Sequence, residues 1–345
     1  MYRLIALCSV LFLLSCTKEI DNDSTTPYQF TYPSYFPELY DSDLNPTTNQ
    51  GVELGRHLYY DSILSSNGRS CSSCHNRESS FSVSIFELNG VTTSVPPHIN
   101  LAWNPNYNWN GSEEILDVLC IGDFGQDFFN TNMDSLRERF KNHDYYPEMF
   151  DATFGVSIAD EDDNKIQLYV SYAVSQFMRS IISSNSKYDQ YLAGDYQFTD
   201  DESNGYTLFN SARTACFHCH GGALFTDNKF HNNGLDIDHQ GVHQGRYLVS
   251  GDQSDIGKFS TPTLRNVELT APYMHDGRFS TLEEVIAHYN TQIIPSPTLA
   301  IELEPHVLGI ELSDQEQSQL IAFLKTLTDY SLLENENYEN PHFVQ

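Results

Sequence analysis

Apolar positions recur at three- and four-residue spacing in four stretches: "MDSLRERFKNH" (133–143), "KIQLYVSYAVSQFMRSII" (165–182), "STLEEVIAHYN" (280–290) and "LSDQEQSQLIAFLKTLT" (312–328). That period matches one face of an α-helix, so each stretch predicts a helix with a buried stripe. The last also carries a start signal. Ser313 and Asp314 stand ahead of Glu316, the spacing at which a hydroxyl and a carboxylate cap the first free N–H groups. Alternating runs of strand length are scarce, and 232–257, rich in Gly, Asp and Asn, reads as loop. A mainly α architecture follows, with a domain junction expected near 155–165, at "GVSIADEDDN".

Two further runs share an internal pattern. "GVELGRHLYYDSILSSNGRSCSSCH" and "GYTLFNSARTACFHCH" each show Gly-x-x-Leu, an aromatic, a short spacer and then C-x-x-C-H. The two motifs are Cys71, Cys74, His75 and Cys216, Cys219, His220. With this content of Cys and His, chance supplies about 0.005 such runs per chain of this length, so two of them carry meaning. Zinc knuckles pair C-x-x-C with a second pair or with spaced histidines, and neither zinc nor a thioredoxin-like pair needs a His directly after the second Cys. Covalent c-type haem uses every member: two thioethers fix the porphyrin edge, and the next His swings under the iron as proximal ligand. His218 lies between two anchors and is expected at the surface. Each run reads as a helix leading into a haem turn, giving two cytochrome c-like haem domains packed around an inter-haem interface.

The chain has 345 residues, enough for two domains of ordinary size. Asp and Glu outnumber Lys and Arg by 47 − 18 = 29, which argues against nucleic acid as a partner and suits a basic one. The N-terminal "MYRLIALCSVLFLLSC" has one early cation and an apolar run shorter than the ~20 residues a membrane span needs. It fits an export signal. "LLSC" resembles a bacterial lipobox, so residues 1–15 are expected to be a lipoprotein signal peptide and Cys16 the lipidated first residue of an exported, periplasmic or outer-envelope protein. Its only membrane contact would be that anchor. A polar, turn-rich tether is expected over 16–45. Cys120, in the apolar "ILDVLCIG", is expected to be an inert buried thiol.

At the level of whole segments the chain resembles the bacterial di-haem cytochrome c peroxidase/MauG family. The resemblance covers roughly 48–330 and rests on the two haem motifs, "VSYAVSQFMRSIISSNSKYDQYLAGD", "FSTPTLRNVELTAPYMHDGRFSTLEEVIAHYN" and "AFLKTLTD", all in family order. It implies an N-terminal peroxidatic domain over 46–160, a C-terminal electron-transfer domain over 161–332 and a peripheral acidic tail over 333–345. It implies two covalent haem c groups, with His75 and His220 as proximal ligands. The distal ligand of the C-terminal haem would be Tyr289, fourteen residues past His275; Met274 is the rival, His288 a weaker one, and His275 a neighbour of that haem. A phenolate is hard and anionic and favours ferric and higher states. Trp109, in "NWNG", takes the place of an inter-haem electron relay, whereas Trp103 reads as core.

Three departures from the family pattern bear on function. The distal acid/base Glu falls at Phe128–Phe129, leaving Asp127 as the nearest carboxylate and the candidate for moving a proton between peroxide oxygens, with Gln126 beside it. Ser94 replaces the Asn at an inter-domain calcium whose other contacts would be the carbonyls of Thr270 and Pro272. No histidine lies on the loop after the first motif, since His98 falls in "PPHIN"; the N-terminal haem is therefore expected to be open without prior reduction. The leading functional reading is an exported peroxidase that reduces hydrogen peroxide with electrons from a small redox protein, a cytochrome c or similar. The alternatives are a MauG-like oxidase of a protein or small molecule, and a two-haem electron carrier. A homodimer is compatible with each.

Overall fold

The computed structural model describes residues 25–82, 86–88 and 91–342. The expected signal peptide and Cys16 lie outside those residues. Helices dominate, and the strands form two small antiparallel pairs, Phe86–Leu88 with Val91–Thr93 and Phe230–His231 with Phe259–Ser260. The four periodic stretches fold as helices Met133–Lys141, Asp163–Ser180, Leu282–Thr291 and Asp314–Lys325. The Ser313 hydroxyl accepts from the Glu316 N–H and the Glu316 side chain answers the Ser313 N–H, as the spacing implied.

Apolar residues collect in two cores. The first joins helix Asn49–Tyr60 to helix Asp163–Ser180 through Leu54, Leu58, Tyr59, Val170, Ala173 and Phe177. The second joins helix Asp200–Phe209 to helix Asp314–Lys325 through Phe209, Leu320, Phe323 and Leu324. At each crossing a glycine faces the backbone of the partner helix. A Cβ on Gly55 would collide with the carbonyl of Ala173 and with Phe177, and a Cβ on Gly205 with the carbonyl of Gln319 and with Phe323. Gly55-x-x-Leu58-Tyr59 and Gly205-x-x-Leu208-Phe209 are thus the matching registers of the internal repeat.

Three expected boundaries change. Helix Asp163–Ser180 supplies the centre of the first core, so 160/161 does not separate the two halves. Residues 25–45 are not a free tether. Asn45 is buried and donates to Asp117 at 2.7 Å while accepting from Gln176 at 2.6 Å, and Arg179 ion-pairs with the same Asp117. Phe36 is buried, with the Arg265 guanidinium 4.6 Å from its ring centroid. Nor is 333–345 wholly peripheral. Leu333 packs against the first core and Tyr338 joins it, Tyr338 donates to the Ser180 carbonyl at 2.6 Å, and Tyr60 donates to the Tyr338 carbonyl at 2.6 Å. Buried polar groups need partners, and here residues distant in sequence supply them.

The seam between the halves is polar and satisfied. The buried Asn266 side chain donates to Ser80 at 2.7 Å and accepts from Ser183 at 3.1 Å and from the Asp329 N–H at 2.8 Å. Asn100 and the Ser183 backbone exchange two bonds, 3.2 and 3.0 Å. Asn100 and Asn266 both sit at positive φ, 56° and 60°, a backbone region that Asn tolerates better than most residues.

Candidate haem sites

Each C-x-x-C-H motif forms a short helical turn, Cys71–Ser73 and Cys216–His220, and the four cysteines are free thiols. Burial raises the pKa of all four, that of Cys219 to about 12. The two histidines are held alike. His75 Nδ1 is 3.0 Å from the Phe81 carbonyl and His220 Nδ1 is 3.1 Å from the Phe225 carbonyl. Both phenylalanines sit at positive φ, 57° and 52°, which turns their carbonyls back onto the motif. With Nδ1–H donating to a carbonyl, Nε2 keeps its lone pair for a metal. Burial also lowers both imidazole pKa values, His75 to about 4, so both are neutral near pH 7. Motif spacing did not reveal Phe81 and Phe225; the signal was an aromatic five or six residues past each His.

Behind the second motif lies a cavity with about 1270 Å³ of empty space, mouth included, walled by Leu264, Val267, Leu282 and Ile286 around Cys216, Cys219 and His220. Free paired thiols, an imidazole with a free Nε2 and an apolar wall fit a covalent haem, and the first motif offers the same donor set.

The structure brings Tyr289, Met274, His275 and Trp109 to the wall of that cavity. Burial raises the Tyr289 phenol to about 12, and a hydrogen bond from Asn233 works against the rise. The Asn233 amide nitrogen lies 3.5 Å from the Tyr289 hydroxyl and 3.4 Å from Met274 Sδ. His288 points elsewhere: its Nε2 is 3.0 Å from the Asn233 carbonyl. Asn233 thus touches all three ligand candidates, and it lies in a stretch that reads only as loop. His275 is buried, stacked on Phe259 at 3.7 Å, with Nε2 3.0 Å from His243 Nδ1.

Trp109 is half-buried at the seam, its indole N–H donating to the Ser94 carbonyl at 2.9 Å. Trp103 packs edge-on against Tyr32 and Phe36 and donates to the Pro37 carbonyl at 2.9 Å, as a packing residue does. His218 is exposed. Cys120 is buried in the first core.

Asp127 does not fill the place considered for it. Its side chain is exposed, and it meets the motif region only through its carbonyl, which accepts from Arg69 at 3.0 Å. The carboxyl whose charge is felt by Cys71, Cys74 and Cys120 is Asp123, and burial lifts its pKa to about 7. Asp123 lies on the turn Cys120–Phe124, four residues before Asp127, and the reading of the sequence did not single it out. At the expected calcium position the Ser94 hydroxyl donates to the Met274 carbonyl at 2.5 Å, joining the halves directly. Thr270 and Pro272 lie on the loop before Met274, where the Ala271–Pro272 peptide is cis.

A family model described as di-haem cytochrome c peroxidase matches residues 49–197. The methylamine utilization protein MauG of Methylorubrum extorquens is 31% identical over 291 residues, covering 82% of this chain and 79% of the relative. The cytochrome c551 peroxidase of Nitrosomonas europaea is 30% identical over 302 residues, covering 83% and 82%. Among solved structures, a MauG-like protein associated with microbial copper homeostasis superposes with a TM-score of 0.81 at 32% identity, covering 91% of this chain and 99% of that one. The diheme peroxidase BthA of Burkholderia thailandensis shares the fold, with a TM-score of 0.71 at 19% identity. With relatives at 30–31% identity aligned over more than four fifths of its length, the chain belongs to the di-haem cytochrome c peroxidase and MauG family.

Proposed function

We propose that this protein consumes hydrogen peroxide at the His75 site and draws the two electrons needed through the His220 site from a protein in solution. Haem, when bound, supplies the redox chemistry at both sites; the chain's own residues do the rest. The carrying observation is Trp109, which lines the His220 cavity while its N–H is fixed to Ser94, four residues before the His98 that stacks on His75. An indole held there is a relay station between the two sites. Asp123, with a pKa of about 7, holds both protonation states near neutrality and can take a proton from one peroxide oxygen and return it to the other. With the two electrons and two further protons taken up from solvent, both oxygens leave as water.

Two readings differ in the electron source. In the first, a small cytochrome c or similar carrier delivers electrons and the protein is a peroxidase; a basic donor would be steered by the acidic surface, with on-rates falling as salt rises. In the second, MauG-like reading, the source is a side chain or small molecule that is itself oxidised. Tyr289 favours the second, because its buried hydroxyl faces the cavity of the His220 motif and a phenolate ligand stabilises oxidised metal. Met274 is the alternative ligand in the same wall. Calcium held by the Thr270 and Pro272 carbonyls stays part of the proposal but gains no support from the Ser94 contact. Export and lipidation at Cys16 belong to it as well, and among the described residues no helix is long and apolar enough to cross a membrane.

Stopped-flow mixing of the haem-loaded protein with peroxide tests the reading. Rapid multiple turnover with a reduced cytochrome supports the first electron source. A slow turnover that leaves a long-lived two-electron-oxidised protein supports the second. An unchanged spectrum after peroxide would overturn both in favour of a plain electron carrier.

A further inference from the structure

His98 stands outside every role assigned so far, yet it lies against the proximal ligand of the first site. Its ring stacks on His75 with centroids 3.4 Å apart and planes inclined by 16°. Its Nδ1 is 3.2 Å from the Tyr59 hydroxyl, which also lies 3.2 Å from the His75 carbonyl. Its backbone N–H donates at 3.0 Å to the Phe81 carbonyl, the same oxygen that holds His75 Nδ1. Tyr59 and Phe81 are fully buried, so this frame is rigid.

The other end of the same segment is fixed to the second site. Thr93 Oγ1 and the Ser94 N–H donate to the His275 carbonyl at 2.9 and 3.0 Å, Ser94 Oγ donates to the Met274 carbonyl, and the Ser94 carbonyl accepts from Trp109. Between the ends, Ser82 Oγ donates to the Val95 carbonyl at 2.5 Å. Residues 93–98 therefore form a strap whose first residues are bonded to the Met274–His275 loop and whose last side chain lies on His75.

We propose that His98 is a positioning residue that fixes the rotation of the His75 imidazole, and that the strap 93–98 couples the state of the second haem pocket to that imidazole. Imidazole orientation sets how the ligand orbitals meet the iron, so it governs spectral shape and potential without any contact with peroxide. Coupling through the strap needs no conformational change beyond small shifts, because a packed ring pair transmits displacement rather than absorbing it. The inference rests on His75 being the ligand of the first haem.

Low-temperature electron spin resonance of the ferric, fully haem-loaded protein reads this directly. Wild type should give one narrow signal for the first haem. His98→Leu should spread it into overlapping signals while the second haem's signal stays in place, and Tyr59→Phe should do the same to a smaller degree. Ser94→Ala should shift the first haem's signal in wild type and leave it unmoved in the His98→Leu background, the signature of a coupled pair. Identical first-haem signals in wild type, His98→Leu and Tyr59→Phe would overturn the positioning role. Equal effects of Ser94→Ala in both backgrounds, or none in either, would overturn the coupling. If His98→Leu fails to load haem, Tyr59→Phe, which removes one oxygen atom, decides on the same readout. Loss of the signal in His75→Gly identifies its source; persistence would overturn the assignment of His75 and this inference together.

Discussion

The guanidinium of Arg265 holds the carboxylate of Asp189 through two 2.9 Å hydrogen bonds, and both side chains are buried. Burial alone would raise the Asp189 pKa, but Arg265, with help from Tyr35 and the Ser186 N–H, outweighs it and holds the carboxyl below its usual value. Removing one member leaves a charge without its counterion. Asp189→Asn should therefore cost about 3–5 kcal/mol in urea unfolding. The sign with pH follows from a depressed folded-state pKa. The contribution is fully present above the unfolded value of about 3.9 and fades as pH falls through the folded one. Thermal melts of wild type between pH 5 and 2 should fall more steeply than those of Asp189→Asn.

Asp123 should control the reaction with peroxide and Asp127 should not. As the base that takes a proton from peroxide, Asp123 is competent above its pKa of about 7, so the rate should drop about tenfold per pH unit below that value. Asp123→Asn should slow the reaction by ~10²–10⁴-fold and flatten the profile. Asp127→Asn should match wild type. The reverse pattern in stopped-flow rates would return the role to Asp127.

Tyr289→Phe should remove the hydroxyl oxygen while keeping the ring that packs against the second core. The expected result is loss of any phenolate-to-iron absorption band and a higher reduction potential for the second haem, read by spectroelectrochemistry. If Met274 ligates instead, Met274→Leu will produce the larger change and Tyr289→Phe almost none.

Gly55 and Gly205 occupy equivalent crossings, and neither has room for a methyl group because backbone stands in the way. Gly55→Ala and Gly205→Ala should each destabilise by about 1–3 kcal/mol, measured by denaturant titration. Gly122→Ala, where nothing stands within 4 Å of an added Cβ, is the control and should stay near wild type.

Much of this architecture was legible in the chain. Helix Asp163–Ser180 followed from its apolar period, and the haem turns from two motifs that chance does not supply. Asn45, Phe36 and Tyr338 were not legible, because their burial depends on Asp117, Gln176, Arg265 and Ser180, far away in sequence. Local pattern carries no trace of such partners, and a polar, turn-rich segment reads as tether whether or not it is pinned. Asp123 was not singled out for a related reason: the burial that raises its pKa depends on how the chain packs around it, which residue spacing does not record. His98 was located correctly in "PPHIN", but its place on His75 depends on the Phe81 carbonyl and the Tyr59 hydroxyl, which are distant in sequence.

Tyr338 clasps the first half after the chain has travelled through the second. The second haem unit is in effect an insertion, enclosed by two separated parts of its neighbour. No single cut yields two whole units. During synthesis the first core also lacks one of its walls until Tyr338 emerges, long after Cys71 and Cys74 have been made.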